Sequence, residues 1–509
     1  MKSTITVELD TLARTINIGI VLILILFGVL GYFVSFYFNF LTVAFFLLVL
    51  LNIYWRYIQK THTLLANYGV IAHFRYIIES VGPEFRQYVF ASDTEERPFN
   101  RVDRSEVYRK AKGIDSTSAF GTLLDYDRTE VKLRHSFFPV DKAQIEPFDV
   151  AVGAARDLPT TYHIRRPIMI SAMSYGALGK NAVRALARGA KMAGTIMNTG
   201  EGGYPKYHLM EGCDITFQIG TAKFGVRTPN GQLDETKLAE IAAKEQVRMI
   251  EIKLSQGAKP GKGGLLPKEK ITEEIATLRG VPMGEDVISP AHHIECVDAQ
   301  STIEFIGHVQ KIGGLPTGIK FCLGRPDEFR MLVKEMKHQD IIPDFITVDG
   351  GEGGTGAAPK SFMDNIGLSL FEALPTVHAI LKEEGLRDQL KLFASGKLIT
   401  SGRQITALSM GADALYSARG FLLALGCIQA LQCNRNTCPT GITTHKPHLQ
   451  RGLDIEQKAL RVANYIHALH HEHDEFLVAM GSPSARMLTP DNVSVPLQIS
   501  ALAKEKEHA

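Results

Sequence analysis

Asp344-Phe-Ile-Thr-Val-Asp-Gly-Gly-Glu-Gly-Gly-Thr-Gly356 decides the fold: a short apolar, β-branched run stops at an acid and opens directly into a glycine-laden turn. The run is too short for a helix and suits a strand buried on both faces. The turn lets backbone approach a ligand closely and point N–H groups at it. The same unit recurs along the chain. Upstream lie PIMISAMS (167–174), TIMNTG (195–200), DITFQIG (214–220), VRMIEIKLS (247–255) and PTGIKFCL (316–323); downstream lie QLKLFASG (389–396) and ALYSAR (414–419). With the first run these make eight. Helical spacing fills the intervals, as at Lys180–Ala193, Leu233–Glu245, Pro326–Met336 and Gly402–Met410. Eight apolar strands alternating with helices predict an α/β fold of the (β/α)8 TIM-barrel type, with the unusual residues gathered at the C-terminal ends of the strands, where barrel sites lie.

Composition agrees with a large folded enzyme. Of 509 residues, 45% are hydrophobic and 22% charged, which excludes a disordered chain. Lys+Arg number 56 against 54 for Asp+Glu, so no basic field exists to recruit nucleic acid. Six cysteines are too few for a disulfide scaffold. Thr15 to Trp55 form 41 residues without Lys, Arg, Asp or Glu, enough for two membrane-spanning helices, about 15–35 and 39–58, turning near Ser35, Asn39 and Thr42. A signal peptide would have a shorter apolar stretch and a cleavage site. Lys2 and Arg14 before the run, and Arg56 and Lys60 after it, place both ends in the cytoplasm. The expected organisation is a membrane hairpin over 1–60, a helical and loop connecting region over 61–150, the barrel over 151–445, and a C-terminal helical extension over 446–509. The charged stretch 93–112 reads as solvated, as does the histidine-rich helix carrying His467, His470, His471 and His473.

Gly351-Glu-Gly353-Gly-Thr-Gly356 satisfies G-x-G-x-x-G, but it follows the sixth of eight units rather than opening a dinucleotide fold, and Gly257–Gly263 is not a P-loop. Lys253 and Lys320 lie near the ends of apolar runs. They either pair with buried carboxylates or stand against the N1/C2=O edge of a flavin, where a cation stabilises the anionic reduced ring. Ser395-Gly396 and Arg419-Gly420, after the last two strands, form the usual barrel phosphate site and favour FMN over a dinucleotide. Cys427, Cys433 and Cys438, spaced C-x5-C-x4-C and followed by Pro439, are either buried free thiols or ligands of an iron–sulfur cluster lacking one corner iron. His292 and His293 fall near the site.

Together Ser171-Ala-Met-Ser-Tyr-Gly176, Asn198-Thr-Gly-Glu-Gly-Gly203, Lys253-Leu-Ser-Gln-Gly-Ala-Lys-Pro-Gly261, Asp349–Gly356 and Cys427…Cys433-Asn-Arg-Asn-Thr-Cys438-Pro resemble, in order, the FMN-binding synthase domain of glutamate synthases over about residues 150–470. The resemblance implies that the three cysteines hold a [3Fe-4S] cluster beside FMN. It implies a flavin site formed by Ser171, Met173, Ser174, Asn198, Gln218, Lys253, Lys320, Gly350, Gly351, Gly353, Gly354, Ser395, Gly396, Arg419 and Gly420. The implied reaction is reductive amination of 2-oxoglutarate, or a similar 2-oxoacid, through 2-iminoglutarate. Lys223, Gln256 and Lys259 would bind substrate, and Lys253, Glu201 and Lys259 would act in catalysis. The family's glutaminase domain is not expected here, so ammonia and electrons come from separate partners. The chain resembles the short, membrane-attached form, expected at the inner membrane with its catalytic part in the cytoplasm. Where the family has Gly-Gly after the seventh strand, this chain has Ser395-Gly396, and Lys262 replaces an acid. A histidine base for hydroxy-acid oxidation and a cysteine nucleophile for nucleotide dehydrogenation are both missing from the sixth-strand loop. The alternatives that stay open are another amine, as in an N-methylglutamate synthase-like enzyme, and a non-catalytic membrane electron-transfer protein.

Overall fold

Eight short segments of the computed structural model pair side by side and in parallel: β1 (Ile168–Ile170), β2 (Met197–Asn198), β3 (Ile215–Ile219), β4 (Val247–Lys253), β5 (Thr317–Phe321), β6 (Phe345–Asp349), β7 (Lys391–Ser395) and β8 (Ala414–Ser417). The last closes on the first, with Leu415 beside Ile168 and Ser417 beside Ile170, so the sheet is a barrel with no free edge. Each of the eight predicted runs contains one strand. The structure describes residues 2–114, 117–124, 131–156, 158 and 161–494; the side chains of 2–10, 12 and 13 and the expected extension beyond 494 lie outside that description.

The strands are buried on both faces because helices cover the outside and side chains fill the inside. The helix Lys180–Ala193 turns a buried alanine-rich face to the barrel and stops at Gly194, whose φ of +68° suits glycine. The helices Glu235–Ala242, Ala299–Gly313, Pro326–Gln339, Leu370–Glu383 and Ser401–Ser409 follow β3 to β7 in turn. Inside, the lower barrel is apolar. Met169, Ile196, Met249, Phe345, Phe393, Ala414 and Tyr416 pack with Val150, Val152 and Ile164 of an antiparallel hairpin (150–152 with 162–164). Phe345 and Phe393 stack with ring centres 4.8 Å apart. This closed floor leaves the opposite, C-terminal mouth as the open end.

The chain divides into two compact units at Pro98–Phe99, within the stretch read as a connecting region. In the first, the helices Lys2–Phe33 and Phe38–Ile53 form a hairpin that turns at 34–37, and the second continues to Ile58 as a widened π turn. Arg14–Phe33 and Phe38–Ile58 are long and apolar enough to cross a membrane. In the second unit, Asn100 caps the helix Arg101–Ala111 through Asp103 N–H at 2.8 Å. That helix is not the solvated segment the sequence suggested. Arg104 and Lys110 are buried, and Lys110 reaches Glu106 and, at 2.6 Å, Glu472. The long helix Ile455–Met480 packs on Lys180–Ala193 and belongs to the barrel unit. Of its histidines, His467 and His471 are exposed, but His473 is buried against Gln404 Oε1 at 2.7 Å, and burial pulls its pKa down to about 3.

Candidate active site

Above the apolar floor the interior becomes polar around Glu251, a fully buried carboxylate in the middle of β4. A buried carboxylate is tolerated when its oxygens are filled with donors. Oε1 accepts from Asn198 Nδ2 on β2 and Gln218 Nε2 on β3, each at 2.7 Å, and Oε2 accepts from Thr347 Oγ1 on β6, also at 2.7 Å. Asn198 Oδ1 in turn accepts the Gly200 N–H, fixing the turn after β2. Asn198 and Gln218, placed in the flavin site by the sequence, are therefore oriented by Glu251, which sequence reading missed.

One layer higher, at the ends of β4 and β5, stand Lys253 and Lys320. Both lysines pair with carboxylates. Lys253 Nζ lies 2.8 Å from Glu201 Oε1 and also donates to Gln256 Oε1, while Lys320 Nζ lies 3.6 Å from Asp349 Oδ2. Glu201 is the centre of a larger group. Burial opposes its charge, but Lys253, Lys259 and Arg279 outweigh that and hold its carboxyl below the usual range. Lys259 is buried, its ammonium donating to the Ala357 carbonyl at 2.7 Å; burial, aided by Lys253, pulls it down to about 8. Arg279 is 6% exposed and gives one Nη to the Tyr175 carbonyl at 3.2 Å, while its buried Nε has no partner. Burial lowers it to about 10, so it stays charged at neutral pH. Glycines make room for the group: a Cβ at Gly220 would stand 2.5 Å from Glu201 Oε2, and one at Gly264 2.8 Å from Oε1.

The loops after β6, β7 and β8 meet on the other side of the mouth. Asp349 Oδ2 accepts the Gly257 N–H at 2.9 Å, bringing the loop after β4 onto the loop after β6. Gly350 and Gly351 N–H donate to the Ser395 and Leu368 carbonyls, each at 2.7 Å. Arg419 Nη donates to the Glu352 carbonyl at 2.6 Å and its guanidinium lies over the Phe99 ring at 4.9 Å. A Cβ on Gly354 would meet Arg419 at 2.8 Å, and one on Gly396 would meet Glu352 Oε1 at 3.2 Å. These glycines form a cradle that side chains would fill. Gly420 differs, because a Cβ there would face Tyr465 Oη at 2.7 Å, on the helix side.

Cys427, Cys433 and Cys438 lie in the loop after the helix Arg419–Leu425, which runs through three left-handed non-glycine residues, Gln429, Leu431 and Asn436. The thiols are within electrostatic reach of one another. Cys427 is raised to about 11, chiefly by burial, with charge on Cys433 and Cys438 contributing. Burial also raises Cys433, whereas at Cys438 it is outweighed by hydrogen bonds from Thr440 and Thr443, which favour the thiolate. Among the described residues no set of three His, Cys, Asp or Glu side chains converges tightly enough for a single metal ion. Sulfurs spaced round a larger inorganic core do not need that convergence. The cysteine loop shares a wall with the loop after β1, which carries Ser171, Met173 and Ser174. Gly179 N–H donates to the Ile442 carbonyl at 2.9 Å, and His445 Nε2 lies 2.9 Å from the Gly176 carbonyl. The Tyr108 hydroxyl donates to the Cys427 carbonyl at 2.6 Å.

The structure thus brings Glu201, Lys253, Gln256 and Lys259 together, and adds Arg279. It does not bring Lys223 into that group. Lys223 is buried and paired with Glu295 Oε2 at 2.7 Å, its charge already matched. His293 lies behind Lys253, its Nε2 3.0 Å from the Lys253 carbonyl. Burial lowers His293 to about 4, and its ring braces the end of β4.

The conserved region in glutamate synthase, as a family, matches residues 110–483. The glutamate synthase large subunit-like protein YerD of Bacillus subtilis is 37% identical over 481 residues, covering 86% of this chain and 91% of its own length. The archaeal glutamate synthase [NADPH] of Methanocaldococcus jannaschii is 38% identical over 322 residues, of which the matched part is 63% of this chain and 60% of that protein. Among solved structures, a mutant flavocytochrome b2 with pyruvate bound superposes with 14% identity and a TM-score of 0.43, covering 85% of this chain and 90% of that one.

Proposed function

The chain belongs to the glutamate synthase family, and from that premise we propose that it is an FMN-dependent oxidoreductase that aminates 2-oxoglutarate with ammonia and reduces the resulting 2-iminoglutarate to L-glutamate. The observation that carries this is the charge count at the barrel mouth. Lys253, Lys259 and Arg279 surround the single carboxylate of Glu201, leaving an excess of two positive charges, with Arg279 Nε unpaired. A dicarboxylate brings two negative charges and bidentate acceptors, which suit an arginine fork. Glu201, kept ionised by its neighbours, accepts hydrogen bonds from the nitrogen nucleophile and relays a proton, taking it from nitrogen and returning it to the carbinolamine hydroxyl, which leaves as water.

The glycine cradle after β6 and β7 fits a flavin phosphate, with Arg419 beside it, and Lys253 and Lys320 fit the ring edge that becomes negative on reduction. Ser171, Met173 and Ser174 supply the wall towards the cysteines. The chemistry that FMN supplies when bound is hydride transfer to the imine carbon. Cys427, Cys433 and Cys438 would hold a [3Fe-4S] cluster, which when bound would supply one-electron transfer from a separate donor; the support is their shared loop wall with the flavin side and the thiolate-favouring hydrogen bonds at Cys438. The hairpin Arg14–Ile58 anchors the enzyme to the inner membrane with the barrel in the cytoplasm, supported by its length, its exposed apolar side chains and the flanking cations.

The test is anaerobic. The purified, flavin-loaded chain is photoreduced and mixed with 2-oxoglutarate plus ammonium, and then with 2-oxoglutarate plus methylamine. Rapid flavin reoxidation and glutamate formation with ammonium are expected. Turnover with methylamine alone would assign a different amine, and no reoxidation with either would leave a non-catalytic electron carrier.

A further inference from the structure

Lys270 ends a short 3-10 turn, Lys268–Lys270, between β4 and its helix, and is only 2% exposed. Its ammonium donates to two carbonyls, Ala177 on the flavin-side loop and Cys433 at 3.2 Å on the cysteine loop. Among the described residues no carboxylate lies within 4.0 Å of it. A buried ammonium held only by carbonyls lacks compensation, and such charges persist where an anion is nearby. Burial pulls its pKa down to about 8 and Arg279 adds to that, while the Cys433 and Cys438 sulfurs favour its charge. The same turn is stapled to the cysteine loop a second time, by Asn436 Nδ2 donating to the Glu269 carbonyl at 2.6 Å.

Resting on the reading that the three cysteines hold an iron–sulfur centre, we infer that Lys270 is the fixed counter-charge of that centre and the strut between it and the flavin loop, and so sets the centre's reduction potential. A three-iron core on three thiolates is anionic when oxidised and gains one more negative charge on reduction. A cation held beside it stabilises the reduced state more and raises the potential. Lys270 acts through the centre, without touching substrate, as a positioning residue.

The experiment is an anaerobic redox titration of the full-length protein in detergent, following the low-temperature EPR signal of the oxidised centre, in wild type, Lys270→Met and Lys270→Arg. With unchanged iron and flavin contents, Lys270→Met should favour the oxidised centre by about tenfold at a given potential, a midpoint lower by about 59 mV for a one-electron couple. Lys270→Arg should stay near wild type. A Lys270→Met centre that titrates at the wild-type potential overturns the inference. If Lys270→Met loses iron while Lys270→Arg keeps it, the charge is needed to assemble the centre, which also supports it. If both lose iron but keep flavin, only side-chain shape matters and the counter-charge role is wrong. Wild type that takes up no iron on reconstitution removes the cluster reading and this inference with it, while leaving the flavin reoxidation assay to judge the reaction independently.

Discussion

Lys259 sets a pH limit on the site because its surroundings pull its pKa down to about 8, burial first and then the neighbouring Lys253. Below that value it is an ammonium that attracts a carboxylate; above it the attraction falls away. We expect KM for the 2-oxoacid to climb as pH rises through about 8 with kcat changing less, and Lys259→Arg, which stays charged, to flatten the climb. Initial rates across pH 6.5–9.5 check this, and a KM profile identical in wild type and the arginine variant would contradict it. At this scale the sequence was half legible. Lys253, Glu201 and Lys259 stand out because they sit in glycine loops at strand ends. Arg279 does not, since a basic residue before a glycine reads as an ordinary helix end, and its proximity to Glu201 is created only when the barrel closes. Glu251 was hidden for a related reason. It sits between Ile250 and Ile252 in the middle of a run where Lys253 drew the eye, while its three donors come from three different strands.

The loops after β4 and β6 are held against each other by a contact so close that only glycine permits it. A Cβ on Gly257 would lie 1.8 Å from the Gly350 carbonyl oxygen, a backbone atom that cannot swing aside. Gly257→Ala must therefore push the two loops apart, breaking the Gly257 N–H bond to Asp349 and disturbing the partner of Lys320. The expected result is a chain with wild-type far-UV circular dichroism that is purified with much less flavin, at least a fivefold drop in the ratio of visible to protein absorbance. Retention of full flavin would mean that these loops do not shape the cofactor site. The elements themselves were legible to within a residue or a few, because apolar runs closed by glycine mark strands, and the helix Lys180–Ala193 is bounded by Gly179 and Gly194. The errors fell on charged helices. Arg101–Ala111 and Ile455–Met480 look solvated residue by residue, yet each buries a charge or a histidine in a partnered contact, Lys110 with Glu472 and His473 with Gln404. Hydropathy cannot foresee a partner that lies hundreds of residues away.

For the whole molecule, the two units expose different surfaces. The barrel unit buries nearly every large apolar side chain of its strands, whereas the hairpin keeps Leu22, Ile25, Leu26, Phe40, Val43 and Leu47 exposed along helices of membrane-spanning length. In water that exposure costs about 25 cal/mol per Å² of apolar surface, and two such helices together present far more than a soluble protein leaves uncovered. The cost disappears in lipid, where the helices satisfy their own backbone groups. Arg14, Arg56 and Lys60 flank the spans and the link between them carries no charge, and the proposed hairpin with both ends in the cytoplasm keeps those cations on that side. Two measurements follow. The chain should stay with membranes through an alkaline carbonate wash and leave only with detergent. Protease added to intact spheroplasts should spare the barrel, and protease added to inverted vesicles should digest it or release it whole by cutting between the units. Extraction by carbonate would make the hairpin a peripheral or soluble element, and digestion in intact spheroplasts would put the barrel on the other side, away from the cytoplasmic ammonia and 2-oxoacid that the proposed reaction consumes.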